Sequence, residues 1–106
     1  MAYKVKTFFG DYDVEVKTAK YADNGNLAVQ LYDASDGCPF ARLTVNLGKK
    51  LKDGMAYLDT NNCPWAEDFV IENGLGEETG DIGMSGYCFY PLYKFNVERM
   101  VASNDE

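Results

Sequence analysis

Tyr87-Cys88-Phe89-Tyr90-Pro91-Leu92-Tyr93-Lys94-Phe95-Asn96-Val97-Glu98 holds five of the chain's 14 phenylalanines and tyrosines. Aromatic side chains pack well on a pleated surface, so the stretch reads as a β-strand beginning near Gly86. Pro91 has no amide hydrogen to give a neighbouring strand, which puts it at an edge, a bulge or a break. The residues just before, Leu75 to Ser85, contain Gly76, Gly80 and Gly83 without a sustained hydrophobic period and read as a loop. Before that loop, Asn61-Asn62-Cys63-Pro64 is a helix-start signal. Asn side chains accept orphan amide hydrogens, and proline suits a first turn. Trp65, Ala66, Phe69 and Val70 then share one apolar stripe, Glu67 and Asp68 sit at the positive end, and Gly74 stops the helix.

The N-terminal half is strand-like. Tyr12, Val14, Val16 and Thr18 alternate with Asp13, Glu15, Lys17 and Ala19, the period of two of a strand with one wet face. Tyr3 to Phe9 alternates in the same way, and Gly10-Asp11 supplies a tight reversal, giving a first hairpin. The turn cluster Ala22 to Asn26 opens onto a third strand from Leu27 to Tyr32. A fourth runs from Phe40 to Leu47, with Ala41, Leu43, Val45 and Leu47 on one face, and a short fifth covers Met55 to Asp59. The expected fold is therefore α+β: an antiparallel meander sheet of about five or six strands with one main helix packed on one face. At 106 residues the chain fits a single domain, with a core over about residues 2–98 and a tail from 99 that frays.

Seventeen acids against ten bases give a net charge of -7, which disfavours a phosphate-backbone partner, because nucleic-acid binding needs clustered Lys and Arg. The charge is segregated: Lys49, Lys50 and Lys52 share one turn, whereas Glu67 to Asp81 carries six carboxylates and no base. No stretch approaches the length of a bilayer-crossing segment, and Met1 to Phe9 alternates charged and apolar residues instead of forming a secretory signal. Cys38, Cys63 and Cys88 are odd in number and widely spaced, which suits reduced thiols in a cytoplasmic protein.

Catalysis is tested by elimination. Histidine is absent, which removes Ser-His and Cys-His nucleophiles and the paired-histidine zinc sites. Glu77, Glu78 and Asp81 do not match the alternate spacing of a calcium loop, and the nearby glycines follow a helix where a phosphate-binding loop precedes one. Cys63, at a helix start, would have its thiolate favoured by the dipole but opposed by Asp59, Glu67 and Asp68. These residues lead us to expect no catalytic set, no resident metal and no cofactor.

The segments DTNNCPWAEDFVIENGLGEETG (59–80) and SGYCFYPLYKFNV (85–97), with YADNGNLAVQLYDASDGCPFARLTVNL (21–47) upstream, resemble the shared core of a small domain-of-unknown-function family. That family comes from intestinal Firmicutes and related bacteria and is often encoded on conjugative or phage-like elements. The resemblance implies a cytoplasmic accessory protein of a mobile element and carries over no catalytic residue.

Two functional readings follow. The first is a non-catalytic protein-binding or regulatory module whose surface comprises Glu67, Asp68, Glu72, Glu77, Glu78, Asp81, Tyr90 and Tyr93. A special case would imitate DNA phosphates, although the charge is thin for that. The second is a small-ligand protein or enzyme with a carboxylate and tyrosine pocket at the strand-to-helix junction Asp59, Thr60, Asn61 and Asn62. Another protein is the expected partner, and an aromatic edge strand also permits a homodimer.

Overall fold

The computed structural model describes residues 2–104, with side-chain surroundings through residue 100. β1 (Tyr3–Thr7), β2 (Gly10–Lys20), β3 (Leu27–Asp33) and β4 (Pro39–Arg42) form one antiparallel sheet in meander order. β5 (Thr44–Val45), β6 (Met55–Leu58), β7 (Gly76–Ser85) and β8 (Cys88–Phe95) form a second, in the order β5-β6-β8-β7. Two short helices complete the described residues: α1 (Ala66–Glu72) between β6 and β7, and α2 (Val97–Asn104) after β8.

This architecture overturns the expected α+β arrangement of one sheet and one main helix. The first reason is Leu43. The stretch expected as a single strand from Phe40 to Leu47 breaks there: the Leu43 amide donates to Val29 of β3 at 2.9 Å, and its carbonyl accepts from Asp59, just past β6, at 2.9 Å. One residue thereby serves two sheets, and the chain crosses from the first to the second.

The second reason is the glycine-rich segment expected as a loop, which is β7. Gly76 to Glu78 pair with Phe95 to Tyr93, and Ile82 to Ser85 pair with Pro91 to Cys88. Between the two runs the register shifts, and Gly80 adopts φ +90 in the unpaired stretch. Such a bulge lets pairing resume after an irregularity. Pro91 stands opposite Ile82, where pairing resumes, inside a central strand. Of the settings expected for a strand proline, the bulge is the one observed.

The expected first hairpin forms, but its reversal falls on Phe8-Phe9 and not on Gly10-Asp11. Thr7 and Gly10 are its last pair; the Thr7 hydroxyl donates to the Gly10 carbonyl at 2.8 Å and accepts from the Phe9 amide at 3.1 Å. Both phenylalanines project almost fully into solvent.

The alternation read from β1 and β2 sends Val5, Val14 and Val16 inward, where they meet Val29, Leu31, Leu43, Leu58, Phe69, Val70, Leu75 and Tyr93. Each such side chain removed from water contributes about 1.5–3 kcal/mol before entropy is counted. A chain of rings, Tyr12–Phe40 at 5.3 Å, Phe40–Trp65 at 5.9 Å and Trp65–Phe69 at 6.1 Å between centroids, ties β2 and β4 to α1. A smaller cluster of Tyr57, Tyr90 and Leu92 is covered by Leu47, Leu51 and Met55.

α1 begins without a side-chain cap, because its N-cap position is Trp65, whose indole is a donor only; the Asn62 side chain, expected to help start the helix, bonds Asp59. Its end follows expectation: Leu75 donates to Val70 and Gly74 to Ile71, with Gly74 at φ +64, the Schellman arrangement. The tail from 99, expected to fray, falls on α2, which runs from Val97 to Asn104; Met100 is fully buried and the Arg99 amide donates to the Asn96 side chain at 3.2 Å. Residues 105 and 106 of that expectation lie outside the described residues.

Candidate interaction surface

The eight residues expected to form one surface are divided by the second sheet. Positions three apart on a strand face opposite sides, so Tyr90 and Tyr93 cannot share a face. Neither is exposed. Tyr93 is fully buried in the main core, and Tyr90 belongs to the smaller cluster with Tyr57 and Leu92. The tyrosines are thus struck from the contact surface, and the reason is that this sheet buries apolar groups on both faces.

Three carboxylates do come together. The Tyr93 hydroxyl donates to Glu67 Oε1 at 2.8 Å, which anchors the first turn of α1 to β8. Glu78 is the cross-strand partner of Tyr93, and cross-strand partners share a face. Burial, the bond to Glu67 and the charges of Glu67, Glu78 and Asp68 push the Tyr93 hydroxyl above the usual tyrosine range. Glu67 is half-buried, whereas Asp68 and Glu78 are exposed. Helix and strand therefore bring one carboxylate onto a fixed hydroxyl, with the next residue of the helix and the cross-strand partner of Tyr93 also acidic. Glu72, exposed, follows Asp68 one helical turn later.

The remaining two acids stand apart from this group. Glu77 is the cross-strand partner of Lys94 and lines a separate groove of about 750 Å³ together with Lys20, Lys52, Asp53, Lys94 and Glu98. That groove carries three bases and three acids, so it has no charge bias. Asp81 lies just past Gly80, its amide bonded to the Thr79 hydroxyl at 3.2 Å, and that hydroxyl donates to the Leu92 carbonyl at 2.8 Å.

The lysine turn is fixed by its neighbour. Buried Asn26 accepts from the Leu51 amide at 2.9 Å and donates to the Lys49 carbonyl at 2.7 Å, while Lys50 Nζ donates to the Asn24 carbonyl at 2.7 Å.

At the Asp59–Asn62 junction the first and last residues are bonded to each other. Asp59 accepts from the Asn62 amide at 3.2 Å and from its side chain at 2.9 Å. Neither the large groove nor a smaller one at Asp11–Asp13 and Asp33–Ser35 includes these residues. Cys63 is buried, its thiol 3.7 Å from the Arg42 carbonyl, and burial with the nearby Asp59 charge pushes it up to about 11. Among the described residues, no group of three or more Cys, Asp or Glu side chains is arranged to hold a metal ion. No helix among them is long and apolar enough to cross a membrane.

Sequence reasoning missed an exposed apolar stripe on the β7–β8 hairpin, built from Ile82, Met84 and Phe89. Its signal was the alternation Ile82-Gly83-Met84-Ser85, diluted by glycine.

Against known proteins, residues 15–106 match one family model, described as Domain of unknown function (DUF4313). No curated protein and no solved structure matches.

Proposed function

Since the chain belongs to this family of domains of unknown function over most of its length, we propose, from its surface alone, that it is a non-catalytic binding module for a basic protein. The supporting observation is Glu67 held by the Tyr93 hydroxyl, with exposed Asp68 next to it on α1 and exposed Glu78 opposite Tyr93 on β7, which places negative charge on a helix and strand that are both anchored in the core. Preorganised like charges favour a cationic partner and quicken its encounter. The same reading takes the module as a cytoplasmic accessory protein of a bacterial mobile element, the setting implied by the sequence resemblance.

The test uses the full chain as bait in host lysate, alongside D68N/E78Q, which neutralises two exposed carboxylates while keeping their shape. The expected result is a stoichiometric partner captured by the unmodified chain at low salt, lost as salt screens the contact and lost with D68N/E78Q. Equal capture by both baits, or none by the unmodified chain at low salt, ends the proposal.

A further inference from the structure

A strand at the rim of a sheet presents a row of unpaired amides and carbonyls, and natural proteins guard such rims with charge, proline, bulges or brevity. Among the described residues the two sheets have four rims, and three of them are guarded. β1 carries exposed Lys4 and Lys6, β4 opens with Pro39, and β5 is only two residues long. β7, the fourth, is guarded over half its length by Glu77, Glu78, the Gly80 bulge and Asp81. From Ile82 to Ser85 the guard stops. Ile82, Met84 and Phe89 remain 65%, 64% and 60% exposed. The pairs Ile82 with Pro91 and Met84 with Phe89 place four apolar groups on one face.

The sequence of this unguarded rim reads alike in both directions by residue class: Gly80-Asp81-Ile82-Gly83-Met84-Ser85-Gly86. An antiparallel strand meeting it in register would need the same order of chemistry reversed, which this segment itself supplies. We infer that a second copy of this chain pairs antiparallel along Ile82–Ser85, with a two-fold axis at Gly83, joining two four-stranded sheets into one of eight strands.

In that register Ile82 faces Met84 of the second copy, and Met84 faces its Ile82, so both apolar side chains find apolar partners. Asp81 faces Ser85, and Glu77 and Glu78 fall beyond the end of the other copy's strand, so no carboxylate meets its own counterpart. An axis at Ile82 or Met84 keeps only one of the two apolar matches. An axis at Asp81 sets carboxylate against carboxylate. A two-fold axis makes each favourable contact twice, which is how a short patch becomes a specific interface. The contact uses the far half of β7 and stands independently of the acidic surface proposed above.

Sedimentation of the full chain from micromolar to sub-millimolar concentration tests this. The expected result is a rise from 11.9 kDa toward twice that mass. Both I82K/M84K and I82E/M84E should remain monomeric, because each sets like charges opposite one another. Mixing the two should restore the doubled mass, because every facing pair then becomes opposite in sign. A wild type that stays monomeric throughout, a dimer that persists in I82K/M84K, or a mixture that fails to associate overturns the inference. A readout independent of substitution is amide exchange in the wild type: protection at residues 82–85 should rise with concentration, and concentration-independent exchange there also overturns it.

Discussion

Tyr93 holds its hydroxyl 2.8 Å from a half-buried carboxylate, so its neutral form is the one the fold favours. Its folded pKa stands above the unfolded value of about 10, so this contribution is complete below that pH and fades as pH rises beyond it. Y93F should lose about 1 kcal/mol at neutral pH and then narrow the gap with wild type above about pH 10, as read by denaturant unfolding at both pH values. The thiols make a second case. Cys63, buried and pushed up to about 11, should resist a thiol reagent until the chain unfolds. Exposed Cys38 should react in the native state, slowed because the neighbouring Asp36 charge raises its pKa. A native protein in which Cys63 is modified first would contradict the packing of the main core. At this scale the sequence was legible where one face is wet: the inward positions Val14 and Val16 follow from alternation alone. Tyr90 and Tyr93 were not, since pairing on both sides of β8 and apolar groups on both faces turn two positions inward that a one-sided sheet would have separated.

β7 shows what pattern reading loses when glycine replaces side chains for packing reasons. At Gly83 a Cβ would stand 2.6 Å from both the Tyr57 ring and Leu47, so the missing side chain makes room for a neighbour. G83A should therefore cost about 1–3 kcal/mol by overpacking, while S85A on the same strand should change the denaturation midpoint little. The lysine turn illustrates the opposite case, an irregular segment held by one polar side chain. N26A removes the acceptor of the Leu51 amide and the donor to the Lys49 carbonyl and should cost about 2 kcal/mol. Amide exchange across residues 48–54 should quicken before the rest of the chain responds; uniform acceleration would show that the turn has no separate stability. The glycine and lysine segments looked alike in sequence as breaks between elements. What distinguishes them is a partner strand, and β8 supplies one only to the first.

Across the whole molecule, the first three strands, the start of β6 and the end of α1 could be read in advance, because local periodicity and turn chemistry specify them. The division into two sheets could not, since it depends on Leu43 bonding both ways to residues 14 positions before and 16 after it. The acidic character of residues 67–81 was likewise visible, but its split into a group around Tyr93 and a groove-facing Glu77 needed the β7–β8 register. L43A should cost about 3 kcal/mol and leave a single transition in which fluorescence and circular dichroism coincide, because both sheets lean on that position. Two separated transitions would mean that the sheets unfold on their own. The ring chain from Tyr12 through Phe40 to Trp65 and Phe69 supplies the instrument for such a measurement. Trp65 is the sole indole, seated where a helix meets strands from the other end of the polypeptide. Its emission colour is thus a label-free gauge of that junction, shifting red when water enters between them.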